Sequence, residues 1–275
     1  FPYTTLFRSY LVGQAFRSLQ MFTQQQRWQC VVLRAGLPQR QGHGQIQAGA
    51  PTQALECVGD VLRPNQGDRT VKRLRTMSVT GIEKLEFGVD DLTHCARFMR
   101  DFGLAGDASG QRFTTLSGAR VELNPIHSPD LPPAFEAGNT LRRMTWGVAD
   151  RAALDALRPK LSRQPAFREI DGALECQDPN GMTLRVQVTQ QVAVTLNVEP
   201  INQWGDMRRI DTPSPVYDGA QPINVGHVVF FVEELAAVEA FYRDVLGFQV
   251  SDRYINRAVF LRCGVRGGHH NLFLL

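Results

Sequence analysis

Residues 226–275 read GHVVFFVEELAAVEAFYRDVLGFQVSDRYINRAVFLRCGVRGGHHNLFLL, and their reading decides the fold. Residues 226–232 are β-branched and aromatic, the composition of a buried strand. The period then changes. Over 233–246, Leu235, Val238, Tyr242 and Val245 recur at helical spacing, and Gly247 stops the helix as a C-terminal cap. Two more strand-like runs follow, at 248–253 and 258–263. Gly267-Gly268 turns the chain into 269–275, so that one histidine sits in the first strand and a histidine pair opens the last.

The same order recurs upstream. Residues 82–104, IEKLEFGVDDLTHCARFMRDFGL, align with 224–248: Val89-Asp90-Asp91-Leu92 falls on Val232-Glu233-Glu234-Leu235, and Phe98-Met99-Arg100-Asp101 on Phe241-Tyr242-Arg243-Asp244. A third copy begins at Leu141 with LRRMTWGVADRAALDALRPKL. It runs through 173–177 to Asp178-Pro179-Asn180-Gly181, a turn signal, and then to the alternating strand 182–188. Each unit reads as βαβββ and cannot bury both its helix and its sheet face alone, so the units pair around a cleft. The expected fold class is α+β, with paired βαβββ modules beginning near 82, 141 and 224 and forming two domains. The His pair is expected to open a fourth module that is left incomplete.

The pattern GHVVFFV…FYRDVLGF…FLRC…HHNLFLL resembles the vicinal oxygen chelate superfamily, which includes glyoxalase I, bleomycin-resistance proteins and type I extradiol dioxygenases. One His in a module's first strand and an HH pair after FLRC are most similar to the extradiol branch. The resemblance implies an iron-dependent ring-cleavage dioxygenase acting on a catecholic substrate with O2. It also implies Fe(2+) as the metal, with Mn(2+), Zn(2+) or Ni(2+) as alternatives.

By the same resemblance, His227 and the second histidine of the pair, His270, are metal ligands. Strand parity sets His270 with Leu272 and Leu274, and His269 with Asn271 and Phe273, so one of the two faces the cleft; parity does not choose. Two neutral imidazoles plus a carboxylate make the facial triad suited to Fe(II) and oxygen. The family's carboxylate is a Glu on the last strand of a fourth module, expected beyond Leu275, which would leave this fragment inactive. The family also places a proton-shuttling histidine between its two ligand histidines. None lies between His227 and His269, leaving Tyr254 as the catalytic candidate beside Asn256.

The divisions expected are 1–76, 77–189, a proline-bearing connector at 190–222, and 223–275 as the start of the metal-binding domain. In the repeat alignment Lys84 and Arg143 stand where His227 does. The 77–189 domain is therefore expected to lack metal ligands. Residues 1–76 carry ten Lys or Arg against three Asp or Glu, a charge of +7, whereas 77–275 sum to −4. A basic arm for nucleic acid is one reading. The other starts from residues 1–9, FPYTTLFRS, which are similar to the translation of a sequencing-adapter oligonucleotide. The following stretch has twelve glutamines and no sustained period. Residues 1–76 are accordingly expected to be a non-native or unstructured leader.

Five scattered cysteines form no CxxC pair and read as reduced thiols, and no apolar run approaches the ~20 residues of a membrane helix. A cytoplasmic homo-oligomer without nucleic-acid or membrane partners is expected. His94, His127, Cys95 and Cys263 read as surface or core residues, His43 lies in the leader, and the acidic pairs 90–91 and 233–234 read as helix starts. No glycine fingerprint for a dinucleotide follows a strand. The rival functions are a glyoxalase-type lyase or isomerase and a non-catalytic small-molecule-binding protein.

Overall fold

The computed structural model describes residues 16–21, 29–36, 79–134, 137–195, 221–263 and 268–275. Two strands precede the repeats, β1 (Phe16–Met21) and β2 (Gln29–Gly36). The first module is β3 (Val79–Val89), α1 (Leu92–Asp101), β4 (Ala105–Gly106), β5 (Arg112–Thr114) and β6 (Arg120–Pro125). The second is β7 (Thr140–Val148), α2 (Arg151–Leu161), β8 (Arg168–Ile170), β9 (Ala173–Gln177) and β10 (Thr183–Val188). The third is β11 (Gln221–Phe230), α3 (Leu235–Ala240) with a π-helical turn at Phe241–Val245, β12 (Gln249–Tyr254), β13 (Ala258–Arg262) and β14 (Leu272–Leu274).

In every module the first and last strands are parallel neighbours, and the helix makes the crossover between one end of the sheet and the other. Modules one and two join through an antiparallel β3·β7 pair into one sheet ordered β4-β5-β6-β3-β7-β10-β9-β8. The fold is α+β, built from βαβββ units.

Helix starts follow local chemistry. Asp91 Oδ1 accepts from the His94 amide at 2.8 Å and Asp150 Oδ1 from the Ala153 amide at 2.8 Å, so each aspartate caps its helix. Glu234 holds the same place before α3 but makes no side-chain cap. Gly247, at φ 81°, takes the left-handed conformation that stops the third helix.

The helices bury their apolar faces against the sheets in one core. Trp146 of β7, fully buried, meets Phe248 edge-on at 5.0 Å and Tyr242 at 6.5 Å, which carries the core of module two into module three. Such aromatic pairs contribute about 0.5–1.5 kcal/mol beyond their buried area.

Two expectations change. The histidine pair does not open a fourth module. Leu272–Leu274 is the closing strand of the third, parallel to β11 (Val228↔Leu272 to Phe230↔Leu274) and antiparallel to β13. A short apolar strand reads the same at either end of a βαβββ unit, because periodicity reports burial and not the hydrogen-bond partner.

The leader also contains strands. β2 pairs antiparallel with β11 from Gln221↔Gly36 to Val229↔Cys30, and β1 with β2. The edge of β11 that faces away from β14 presents unpaired N–H and C=O groups, and the β-branched run Val31-Val32 supplies a strand that satisfies them. The rest of 1–76 and the connector over 196–220 lie outside the described residues.

Candidate functional site

The face of the third module's sheet that turns away from its helix carries the candidate chemistry. On β11, Val228 and Phe230 point into the core at 1% and 2% exposure. His227, Val229 and Phe231 therefore stand on the opposite, more open face. On β14, Leu272 and Leu274 are likewise core, and Phe273 shares the open face beside Val229. Next along, Phe260 of β13 stacks on Phe273 with ring centroids 4.0 Å apart and planes within 4°.

Both candidate ligands reach this face from adjacent strands of one sheet. The rings of His227 and His270 lie 4.3 Å apart, centroid to centroid, tilted by 39°. Phe260 approaches His270 at 5.0 Å and His269 at 5.2 Å. Strand parity sets His270 with the core leucines, yet residues 268–271 are bent and β14 starts only at Leu272. Asn271 holds that bend: its Oδ1 accepts from the Cys263 amide at 2.9 Å and its Nδ2 donates to the Gly226 carbonyl at 3.1 Å. Alternation does not extend through such a bend, so both histidines of the pair come to Phe260. His270 is half-buried and His269 exposed.

Burial, with a smaller contribution from His269, pushes the His270 imidazole down to about 4, so it is neutral at pH 7, the form that binds metals. Metal–nitrogen distances are about 2.1 Å. Two rings 4.3 Å apart are close enough to turn one nitrogen each toward a single ion. The pair therefore fits a divalent metal as two of its ligands. Among the described residues no group of three or more His, Cys, Asp or Glu is placed to hold an ion.

Tyr254 ends β12 at 61% exposure, its ring 5.7 Å from Phe260, so it stands at the rim of the same aromatic face. His94 and His127 are exposed and away from it, while Cys95 and Cys263 are buried in the core. Phe260, Phe273 and His269 complete the face, and the two phenylalanines were not singled out by sequence. Alternation within FLRC and LFLL placed the two phenylalanines opposite Leu261, Leu272 and Leu274, and was the signal available.

The aligned positions in modules one and two hold a closed ion-pair network. Lys84 Nζ lies 3.3 Å from both Glu86 Oε2 and Glu122 Oε2. Arg143 bridges Glu86 Oε1 at 2.8 Å and Glu175 Oε2 at 3.1 Å. Arg185 and Arg168 bond the same Glu175, at 2.8 Å and 2.7 Å. Burial alone raises the Glu175 carboxyl, but Arg168, Arg143 and Arg185 outweigh it and hold it below its usual value.

A family model, Glyoxalase/Bleomycin resistance protein/Dioxygenase superfamily, matches residues 224–274. Those residues are a module of this superfamily. The match spans the β11–β14 unit that carries His227 and His270.

A search of curated proteins found no match. Solved structures are similar over more of the chain. A Mn(II)-bound glyoxalase from Novosphingobium aromaticivorans has a TM-score of 0.51 at 22% identity, covering 72% of this chain. The chain spans 62% of that glyoxalase's length. BphC, a halotolerant catechol dioxygenase, has a TM-score of 0.49 at 16% identity, over 72% of this chain and 65% of its own. The 2,3-dioxygenase LapB from Pseudomonas sp. KL28 has 0.48 at 16%, over 73% and 71%. At 22% identity the likeness to the glyoxalase is one of fold. Among the described residues no helix is long and apolar enough to cross a membrane.

Proposed function

We propose that this protein is an extradiol-type ring-cleavage dioxygenase in which His227 and His270 hold Fe(II). The observation that carries the reading is the pairing of two imidazoles, 4.3 Å apart, with a flat aromatic wall made by Phe260 and Phe273. A bound ferrous ion supplies open coordination positions and electron density for O2 and the two oxygens of a catechol.

The chain's own part is positioning. Phe273 and Phe260 offer a surface on which a catecholic ring stacks, and the sheet behind it, closed by Leu272, Leu274 and Val228, keeps that side of the site dry. Tyr254, at the rim, is the proton-handling group of this reading. Modules one and two serve as a scaffold, since their aligned positions are spent on ion pairs.

A lyase or isomerase using a redox-inert ion as Lewis acid is the second reading. It is favoured by the fold match to a Mn(II)-bound glyoxalase and by the absence of a further histidine between His227 and the pair. Oxygen-electrode traces of the full-length protein across a panel of catechols, with its Fe(II)- and Zn(II)-loaded forms compared, separate the two. Uptake by the Fe(II) form alone supports the dioxygenase. No uptake, together with turnover of a thiohemiacetal or an epimerisable thioester by the Zn(II) form, supports the second reading.

A further inference from the structure

His269 Nδ1 and His270 Nδ1 stand 3.0 Å apart, a hydrogen-bonding distance between two ring nitrogens. A neutral imidazole carries one N–H and one lone pair, so one of the two nitrogens donates and the other accepts. The direction decides what the far nitrogen of His270 can do. If His269 donates, His270 carries its proton on Nε2, and that nitrogen has no lone pair for an ion. If His270 donates, Nε2 is left as a lone pair, and the proton of His269 sits on its own Nε2 at the exposed side.

We propose that His269 is a positioning residue that accepts the Nδ1–H of His270 and so fixes its tautomer and ring angle, leaving Nε2 to bind a divalent cation with His227. The inference rests on the metal site of the proposed function and assigns a role to the histidine of the pair that the resemblance does not make a ligand. Two placements support it. The ring of His269 packs edge-on against Phe260 at 5.2 Å, which restricts its rotation although the residue is exposed. The ring of His270 is held between His227 and Phe260, and it is its Nδ1 that meets Nδ1 of His269. Ligating histidines commonly use their second nitrogen in this way, and loss of the acceptor lowers metal affinity by about 10–100-fold.

The test reads the tautomer and the metal separately, on the whole chain. Long-range 15N–1H correlation spectra of the metal-free protein report which nitrogen of His270 bears hydrogen. Mn(II) titration followed by electron paramagnetic resonance reports affinity. The expected results are an Nδ1–H tautomer at His270, a shift toward Nε2–H in His269→Ala with Mn(II) binding weakened about 10–100-fold, and recovery of both in His269→Asn, whose amide oxygen can take the place of Nδ1. An Nε2–H tautomer in the unsubstituted protein, or unchanged spectra and affinity in His269→Ala, overturns the proposal. If the protein takes up no Mn(II) but His270 shows the Nδ1–H tautomer, the metal reading fails while the histidine pairing stands.

Discussion

Tyr242 donates its hydroxyl to Asp178 Oδ2 at 3.0 Å, and both side chains are buried, at 0% and 3% exposure. The bond joins the π-helical turn of module three to the Asp-Pro-Asn-Gly turn of module two. The other carboxylate oxygen accepts the Asn180 and Met182 amides, each at 2.9 Å. Removing the donor in Tyr242→Phe leaves Oδ2 buried without its partner. It should cost about 1–3 kcal/mol, read from urea unfolding at neutral pH.

The same aspartate predicts a pH dependence. Burial raises the Asp178 carboxyl to about 6 from an unfolded value of 3.8, against the three donors that favour its ionised form. The native state therefore binds this proton more tightly than the unfolded state does. The group's stabilising contribution is present below about pH 4 and is lost as pH rises toward 6. At 1.36 kcal/mol per pKa unit the loss is about 3 kcal/mol. The stability of the unsubstituted chain minus that of Asp178→Asn should fall between pH 4 and 6 and stay level above. A difference that is flat with pH would show that the carboxyl titrates normally.

Arg143 lies between Glu86 and Glu175 with its side chain 8% exposed. Arg143→Ala strips two buried carboxylates of a shared counter-charge and should cost about 3–5 kcal/mol, whereas Arg143→Met with Glu86→Gln should cost much less. Denaturant midpoints of the three chains measure this. Equal losses in both variants would mean that the stranded Glu86 charge does not set the cost.

Much of this was legible beforehand. The three modules, the glycine at 247, the Asp178 turn and the opposition of Lys84 and Arg143 to His227 follow from hydrophobic period, turn chemistry and internal repetition. What stayed hidden depended on partners. LFLL reads as a buried strand whichever neighbour it bonds, so its place at the end of module three waited for the β11·β14 register. The bend held by Asn271 breaks the alternation that parity assumes, which brings His269 and His270 to one phenylalanine. β2 was missed because a glutamine-rich surround hides a four-residue apolar run, Cys30 to Leu33, that needs only a free edge.

That free edge gives a further prediction. A chain beginning at Met77 lacks β2 and exposes the backbone of β11 from Gln221 to Val229. Unpaired edges promote association, so light scattering should detect concentration-dependent self-association that the full chain does not show. A monodisperse shortened chain of unchanged stability would mean that residues 1–76 contribute nothing to folding.

Phe260 and Phe273 stack face to face on the open side of the sheet. Phe260→Leu keeps the apolar character of the wall but loses the flat ring. Affinity for a catechol should weaken about 2- to 13-fold, the equivalent of about 0.5–1.5 kcal/mol for one aromatic pair. Spectrophotometric titration with 4-nitrocatechol reads it, and unchanged affinity would place the substrate elsewhere.

The central claim is that His227 and His270, on neighbouring strands of one module, share a divalent ion. Anaerobic Mn(II) titration followed by electron paramagnetic resonance tests it on the full chain and its variants. One ion per chain, lost in His227→Ala and lost again in His270→Ala with both variants still folded by circular dichroism, is the predicted result. A chain that keeps its ion in both variants, or that takes up none at all, would contradict it.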